Sequence, residues 1–304
     1  MSVLISVITA VFNDEKFIKK SVESILSQTF GNFEYIIVDD GSTDNTLNIL
    51  KEIAKKDIRL IVLTQNNLGA AVARNTAINV ASGLYIAIQD SDDISLPNRL
   101  EKQLYQLLNS DQKLISCTGY HVINENDEVI TTNNKLYENI NKNILKGSTP
   151  ALHPTMMIPK DLINQIGGYN IFYNKTEDYD LILRLIENNA RLEKINIPLY
   201  SYRIRENSES TLNNGAYLKR VFENHLNRIN NRPENFSKVV NDQMIDKNYI
   251  LKRNIREIFY SENYIVFQKL YYKNYFKLPF NYFFFFVFSF LPKQLKMSIK
   301  KIFS

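Results

Sequence analysis

The chain has 304 residues, 44% hydrophobic and 23% charged, with one cysteine, three histidines and no tryptophan. This is the composition of a globular protein, one large domain or a domain with an appendage, and not of a disordered chain. Cys117 alone makes no intrachain disulfide and no cysteine metal centre, which fits a reducing compartment, and His121, His153 and His225 are too scattered for a zinc site.

The net charge of +5 is unevenly placed. Residues 1–215 hold 21 Lys/Arg against 26 Asp/Glu, and residues 216–304 hold 16 against 6. The body is therefore acidic and the C-terminal region basic. No nucleic-acid recognition motif accompanies the basic region, so an anionic membrane surface is its expected counter-charge. No basic leader precedes the first strand, so no signal peptide is expected.

In chain order, the β-branched run 4–9 predicts a buried strand. Asn13 offers an N-cap for a helix carrying Phe17, Ile18, Val22, Ile25 and Leu26 at helical spacing. Residues 33–38 form a second strand, and the turn Asp39-Asp40-Gly41-Ser42-Thr43-Asp44 leads into a helix with Leu47, Leu50 and Ile53 on one face. Residues 58–63 form a third strand. A small-residue helix over 70–81 stops at Ser82-Gly83. Residues 84–88 form a fourth strand, followed by Gln89-Asp90-Ser91-Asp92-Asp93 and a helix from near Pro97. Short apolar strands alternating with helices predict a parallel sheet covered on both faces.

Three polar clusters then fall at the carboxyl ends of parallel strands: Thr9 to Asn13, Asp39 with Asp40, and Asp90 to Asp93. Ligands of open α/β sheets bind at that edge. Three carboxylates within four residues repel one another unless a cation sits among them. A hard divalent ion takes oxygen ligands of this kind together with phosphate oxygens. Taken alone, the run serves equally as a solvated acidic turn at a helix start. Its place beside the other two clusters points to a nucleotide. The first strand is not followed by Gly-x-Gly-x-x-Gly, and the chain has no P-loop, so backbone cradling of phosphate is not advertised.

The stretches Ile5-Ser6-Val7-Ile8-Thr9-Ala10-Val11-Phe12-Asn13, Ser24-Ile25-Leu26-Ser27-Gln28-Thr29-Phe30, Ile37-Val38-Asp39-Asp40-Gly41-Ser42-Thr43-Asp44 and Asn67-Leu68-Gly69 resemble family 2 glycosyltransferases. So do Arg74-Asn75, Asp90-Ser91-Asp92-Asp93 with Pro97 and Arg99, and Glu177-Asp178-Tyr179-Asp180-Leu181 with Arg184. The resemblance spans roughly 3–210 with its motifs in order. It implies a GT-A fold, α/β with a mainly parallel central sheet. Residues 1–215 would form the catalytic domain, with a nucleotide-binding half (1–110) and an acceptor half (111–215). Residues 216–304 would form a helical, basic, aromatic-rich extension.

The resemblance also implies roles. Thr9, Ala10, Phe12, Asn13, Asp40, Arg74 and Asp92 would bind the nucleotide, with Phe12 against the base and Asp40 accepting from its ring N–H. Asp90, Asp92 and Asp93 would hold Mn²⁺ or Mg²⁺, and Asp178 would be the catalytic base of an inverting transfer. The start of a helix over 177–188 favours an ionised carboxylate there. Glu177, His153, Arg203 and Arg205 are secondary candidates, the two arginines for phosphate and His153 for acceptor or donor. Arg205 stands where the family often has histidine. Processive members carry Gln-x-x-Arg-Trp, and a chain without tryptophan is expected to add one sugar at a time.

The expected activity is transfer from a nucleotide-diphosphate sugar, with UDP as the expected nucleotide, to a saccharide or lipid-linked saccharide. It would serve surface polysaccharide or glycolipid assembly at the inner face of the cytoplasmic membrane. The alternatives are a sugar-nucleotide nucleotidyltransferase, whose Gly- and Arg-rich loop is missing here, and a silent nucleotide-binding assembly protein. In the extension, the aromatic run 283–291 is too short to span a bilayer. Flanked by lysines, residues 278–304 are expected to lie in a membrane interface or against a partner subunit.

Overall fold

The structure is a computed structural model describing residues 2–110, 113–135, 137, 139–145, 151–173, 176–205 and 215–236. The aromatic run 283–291 and the loop after Arg205 lie outside these residues.

Strands β1 (Ile5–Val11), β2 (Phe33–Asp39), β3 (Leu60–Thr64) and β4 (Tyr85–Ile88) alternate with helices α1 (Ile18–Leu26), α2 (Thr46–Ala54) and α3 (Ala70–Val80). A short β5 (Ile94–Ser95) and α4 (Arg99–Leu108) follow. The second half holds β6 (Leu114–Ile123), β7 (Val129–Asn133), α5 (Ile140–Ile144), a 3₁₀ turn His153–Thr155 and β8 (Met157–Pro159). It continues with α6 (Lys160–Gln165), α7 (Glu177–Glu187), β9 (Arg191–Arg203) and α8 (Gly215–Ile229).

The strands form one nine-stranded sheet ordered β3-β2-β1-β4-β8-β6-β9-β5, with β7 on β6. Its first four strands are parallel. Beyond them β8 runs antiparallel to β4 and β6, β6 and β9 are parallel, and β5 and β7 pair antiparallel at β9 and β6. The chain leaves β1 toward β2 on one side and returns as β4 on the other. The carboxyl ends of β1 and β4 therefore flank the crevice where strand order reverses.

Alternation along the strands separates two cores. On one face Ile8, Ile36, Val38, Ile86 and Ile88 pack against α3 and α7. On the other Val7, Tyr35, Ile37 and Ala87 pack against Ile18, Val22 and Ile25 of α1, Leu50 of α2 and Leu100, Leu104 and Leu107 of α4. The small residues Ala71, Ala73 and Ala77 let α3 lie close to the sheet. Gly83 lets the chain enter β4, since a Cβ there would stand 2.5 Å from Ser6 N and 2.7 Å from Ile5 C.

Two local expectations are corrected. Asn13 is not the N-cap of α1. It takes a left-handed φ of 50°, which asparagine tolerates, and its Oδ1 accepts from Thr43 N at 2.7 Å. The carbonyl of Asp14 accepts the first amides, from Phe17 N at 3.1 Å and Ile18 N at 3.0 Å. Ile58 is not in the third strand; it stands in the preceding turn, 97% exposed.

Helix α8 packs on α7, with Val221 buried in the shared core and Phe222 stacked on Tyr179 at 6.2 Å. Arg228 donates to Glu187 through Nε (2.8 Å) and Nη2 (2.9 Å) and lies 3.3 Å from buried Asp180. The body therefore runs beyond residue 215. Among the described residues no helix is long and apolar enough to cross a membrane.

Candidate active site

The turn after β4 is shaped from inside. Gln89 is buried, and its Nε2 donates to the carbonyls of Asp93 (3.0 Å) and Asp90 (3.1 Å) while its Oε1 accepts from Ser95 Oγ (2.7 Å). Beneath it Arg99, fully buried, donates to the carbonyls of Ile88 (2.7 Å) and Pro154 (2.8 Å) and packs on the Tyr200 ring at 4.9 Å. Burial pushes the Arg99 pKa down to about 10, so the group stays cationic near neutrality. Arg99, expected as part of a motif, acts as the buried tie between β4 and the 153–156 turn.

Held this way, the three aspartates diverge, each toward its own partner. Asp90 Oδ1 lies 3.3 Å from Arg74 Nη2. Asp92 Oδ2 lies 2.7 Å from Arg205 Nε. Asp93 is fully buried, and its Oδ1 accepts from Arg203 N at 2.7 Å. Burial pushes Asp92 up to about 7, with Arg205 opposing the shift and Asp14 and Asp90 adding to it. Burial, with the charges of Asp92 and Asp90, raises Asp93 well above the usual carboxylate range.

Among the described residues no three His, Cys, Asp or Glu side chains converge as a metal cage. A hard cation held by one or two carboxylates and completed by diphosphate oxygens would fit the set, with the partly exposed pair Asp90 and Asp92 as the ligands it would take. Inward-facing Asp93 does not fit as a direct ligand.

Arg74 projects from α3 and joins the two halves. Its Nη1 donates to Glu177 Oε1 at 2.8 Å while Nη2 faces Asp90, and its guanidinium lies 5.6 Å from the Tyr169 ring centroid. Asn75, next in α3, exchanges hydrogen bonds with the Tyr169 backbone, both 2.8 Å. This close approach needs Gly168, where φ is +74° and a Cβ would meet Asn75 Oδ1 at 2.6 Å. Asp178, partly buried at the first turn of α7, stands beside Glu177. Burial and the neighbouring Glu177 charge push its pKa up to about 7, against the Tyr179 amide and Arg74. The helix start does not win here: desolvation outweighs the dipole, and Asp178 exchanges its proton near neutral pH.

The nucleotide-side candidates are distributed as follows. Phe12, at the end of β1, is 46% exposed. Thr9 is fully buried, donates to the Gln89 carbonyl at 2.8 Å and touches Tyr35 OH at 2.9 Å. Ala10 packs against the core. Asp40 is buried and accepts from Gln65 Nε2, Leu68 N and Gly69 N, each at 2.8 Å, fastening the loop that starts α3.

The secondary candidates separate in their roles. Arg203 is buried, donates through Nε to the Asp92 carbonyl (2.7 Å) and through Nη1 to the Asn124 carbonyl (2.8 Å), and pairs with Asp127 at 2.6 Å. It is an internal strut, neither a solvated turn nor a free phosphate ligand. Arg205 also pairs with Asp14 Oδ1 at 2.9 Å. His153 is buried against Tyr169 OH at 2.8 Å, and burial, with Arg74's charge adding, drives its pKa well below the usual range, leaving a neutral ring.

Asp14 was not anticipated. It is buried, burial raises its pKa, and its Oδ2 accepts from Ser91 Oγ at 2.6 Å inside the acidic turn. A carboxylate directly after Asn13, at the same sheet edge, was the available signal. Tyr200, whose hydroxyl accepts from Asp90 N at 3.1 Å, had none.

Residues 6–167 match the family model described as glycosyl transferase family 2. The chain belongs to that family. The O-antigen biosynthesis glycosyltransferase WbnJ of Escherichia coli is 38% identical over 210 residues, 67% of this chain and 81% of that one. An Escherichia coli β-1,3-glucosyltransferase, WfaP, whose name gives UDP-Glc as donor and α-D-GlcNAc-diphosphoundecaprenol as acceptor, is 33% identical over 208 residues, 68% of this chain and 80% of that one. The crystal structure of Staphylococcus aureus TarS residues 1–349 in complex with UDP superposes with a TM-score of 0.57 at 21% identity, covering 83% of this chain and 71% of that one. That likeness bears on the fold and agrees with the GT-A arrangement. The family 2 chain is thus a glycosyltransferase, and Glu177 and Asp178 lie just beyond the residues the family model matches.

Proposed function

We propose that this glycosyltransferase moves one sugar from a UDP-sugar to a lipid-linked saccharide with inversion at the anomeric carbon, in surface polysaccharide or glycolipid assembly at the inner face of the cytoplasmic membrane. The observation that carries the reading is Arg74, which holds Asp90 at the β4 edge and Glu177 at the start of α7 within one ion-pair chain. This ion-pair chain supports a reading in which leaving-group and acceptor sides share one crevice.

Phe12 stacks on the base. Asp40 has an acceptor position left on Oδ2 for a base N–H and otherwise keeps the 65–69 loop in place. Asp90 and Asp92 would hold Mn²⁺ or Mg²⁺ beside the diphosphate, where such a cation would supply electrophilic stabilisation of the leaving group's growing charge. Arg205 moves from Asp92 to a phosphate oxygen. Asp178, with a pKa near the working pH, accepts the proton of the incoming hydroxyl, for which a base is best matched. Attack from the face opposite the diphosphate inverts the anomeric centre. Asp93 and His153 act structurally. The relatives' roles in O-antigen and undecaprenol-linked saccharide synthesis support the acceptor class.

The test is a panel of nucleotide sugars with and without Mn²⁺, read as nucleoside diphosphate release in the presence of a diphosphopolyprenol-linked N-acetylhexosamine. Pyrophosphate release would instead identify a nucleotidyltransferase. No turnover with any acceptor would favour a silent binding protein.

A further inference from the structure

An apolar ledge stands beside the acceptor side of the crevice. Its side chains are Ile171 (58% exposed), Phe172 (69%) and Phe236 (37%). The rings of Phe172 and Phe236 meet at 4.9 Å, and Phe236 meets Tyr173 edge-on at 5.7 Å. The ledge is built into the body. Asn224 of α8 donates through Nδ2 to Tyr173 OH (2.7 Å) and the Asn235 carbonyl (3.0 Å), and its Oδ1 accepts from Asn235 N (2.7 Å). One buried amide thereby fixes both chain segments that carry the aromatic rings.

The ledge is also tied to the chemistry. Its segment begins at Tyr169, which is pinned to Asn75 and lies on Arg74. A few residues further the chain enters α7 with Glu177 and Asp178. The ledge and the proposed base therefore belong to one short stretch of chain, 169–178.

We propose that Ile171, Phe172 and Phe236 seat the enzyme on an anionic lipid bilayer, with the Asp178 side of the crevice toward the headgroups. Two observations select lipid as the occupant. First, the sequence that follows Phe236, from 237 onward, holds 12 Lys/Arg against 4 Asp/Glu. The most basic part of the sequence thus follows directly on the ledge residue Phe236, and basic charge together with exposed aromatic rings matches an anionic interface. Second, among the described residues the patch is small. An aromatic side chain buries roughly 150–250 Å², so three partly exposed side chains fall short of the roughly 800 Å² per partner of a stable protein interface. An interface of lipid tails has no such minimum.

The inference deepens the lipid-linked acceptor reading and rests on it for its use, although its measurement is independent. The chain has no tryptophan, so Phe172→Trp places a single fluorophore on the ledge of the full-length protein. On adding vesicles of phosphatidylcholine and phosphatidylglycerol, the F172W emission should shift to the blue and be quenched by brominated acyl chains. Ile58→Trp, in the turn before β3, should do neither. A companion Phe172→Ser variant should bind the vesicles roughly tenfold more weakly or less tightly still, from losing the burial of one phenylalanine ring. An F172W emission that vesicles leave unchanged overturns the proposal. So does an emission already blue-shifted in buffer and unquenched by lipid, which would mean that the chain itself or a second copy covers the ledge. If the ledge fails and sugar transfer to the lipid-linked acceptor persists, only the ledge falls. If the ledge inserts and no lipid-linked acceptor is used, the acceptor reading falls alone.

Discussion

Arg74 and Glu177, 103 residues apart, form an ion pair at 2.8 Å whose other end reaches Asp90. Replacing Arg74 with Ala leaves two carboxylates without their cation in a largely buried place. Breaking such a pair from one side costs about 3–5 kcal/mol, so thermal unfolding should shift down by several degrees. Arg74 also holds the Asp178 pKa down, so any residual activity should need a higher pH. Unchanged stability together with an unmoved pH profile would refute the bridging role.

Asp178→Asn should reduce turnover by about 10²–10⁴-fold, the range for losing a general base, while UDP binding measured by calorimetry stays within a factor of a few. Full turnover by the variant would remove Asp178 from the mechanism.

The pKa of about 7 at Asp178 sets a pH dependence. The base works ionised, so kcat should fall as pH drops below about 7 and level off above it. Stability runs the other way. Asp92 and Asp178 have folded pKa values of about 7, above the unfolded value of 3.8. Between these limits the native state binds more protons than the unfolded state, so these groups favour folding at low pH and lose that contribution as pH rises toward 7. Melting temperatures across this range, compared between wild type and Asp178→Asn, check the sign.

Arg205 occupies the cationic place beside Asp92 that the proposed metal would share. Arg205→Gln should therefore bind Mn²⁺ more tightly without donor, read by electron paramagnetic resonance, and bind the UDP-sugar more weakly. Equal Mn²⁺ affinity in both proteins would show that the arginine does not compete.

Gly83→Ala would drive a methyl group into the β1 backbone at Ser6. Overpacking of this kind costs about 1–3 kcal/mol, and the backbone contact places it at the upper end. Chemical denaturation should show a lower midpoint with an unchanged slope.

The parallel half of the fold was legible because its signals are local. Apolar runs mark β1, β2 and β4, the glycine pair Gly41 and Gly69 takes positive φ where turns are needed, and polar clusters fall at strand ends. The inner arrangement of the acidic turn was not legible, since it depends on partners far along the chain. Asp93 is turned inward by an amide 110 residues away, and Arg203 reads in sequence as a surface arginine yet is buried. Asp14 resembles any first-turn acid until Ser91 and Arg205 meet it. The ionisation of Asp178 depends on desolvation, which the sequence of one helix does not reveal.

The buried Arg203 has a practical meaning for recombining family members. It touches the carbonyls of Asp92 and Asn124, the carboxylate of Asp127 and, through its amide, Asp93. A hybrid that takes the first half from one parent and β9 from another inherits this joint only when Asp93, Asp127 and Arg203 travel together, since Asp92 and Asn124 contribute main-chain carbonyls. Crossovers that separate these three should lower stability even where the sheet register is kept, because they leave the buried guanidinium or its carboxylate partner unpaired.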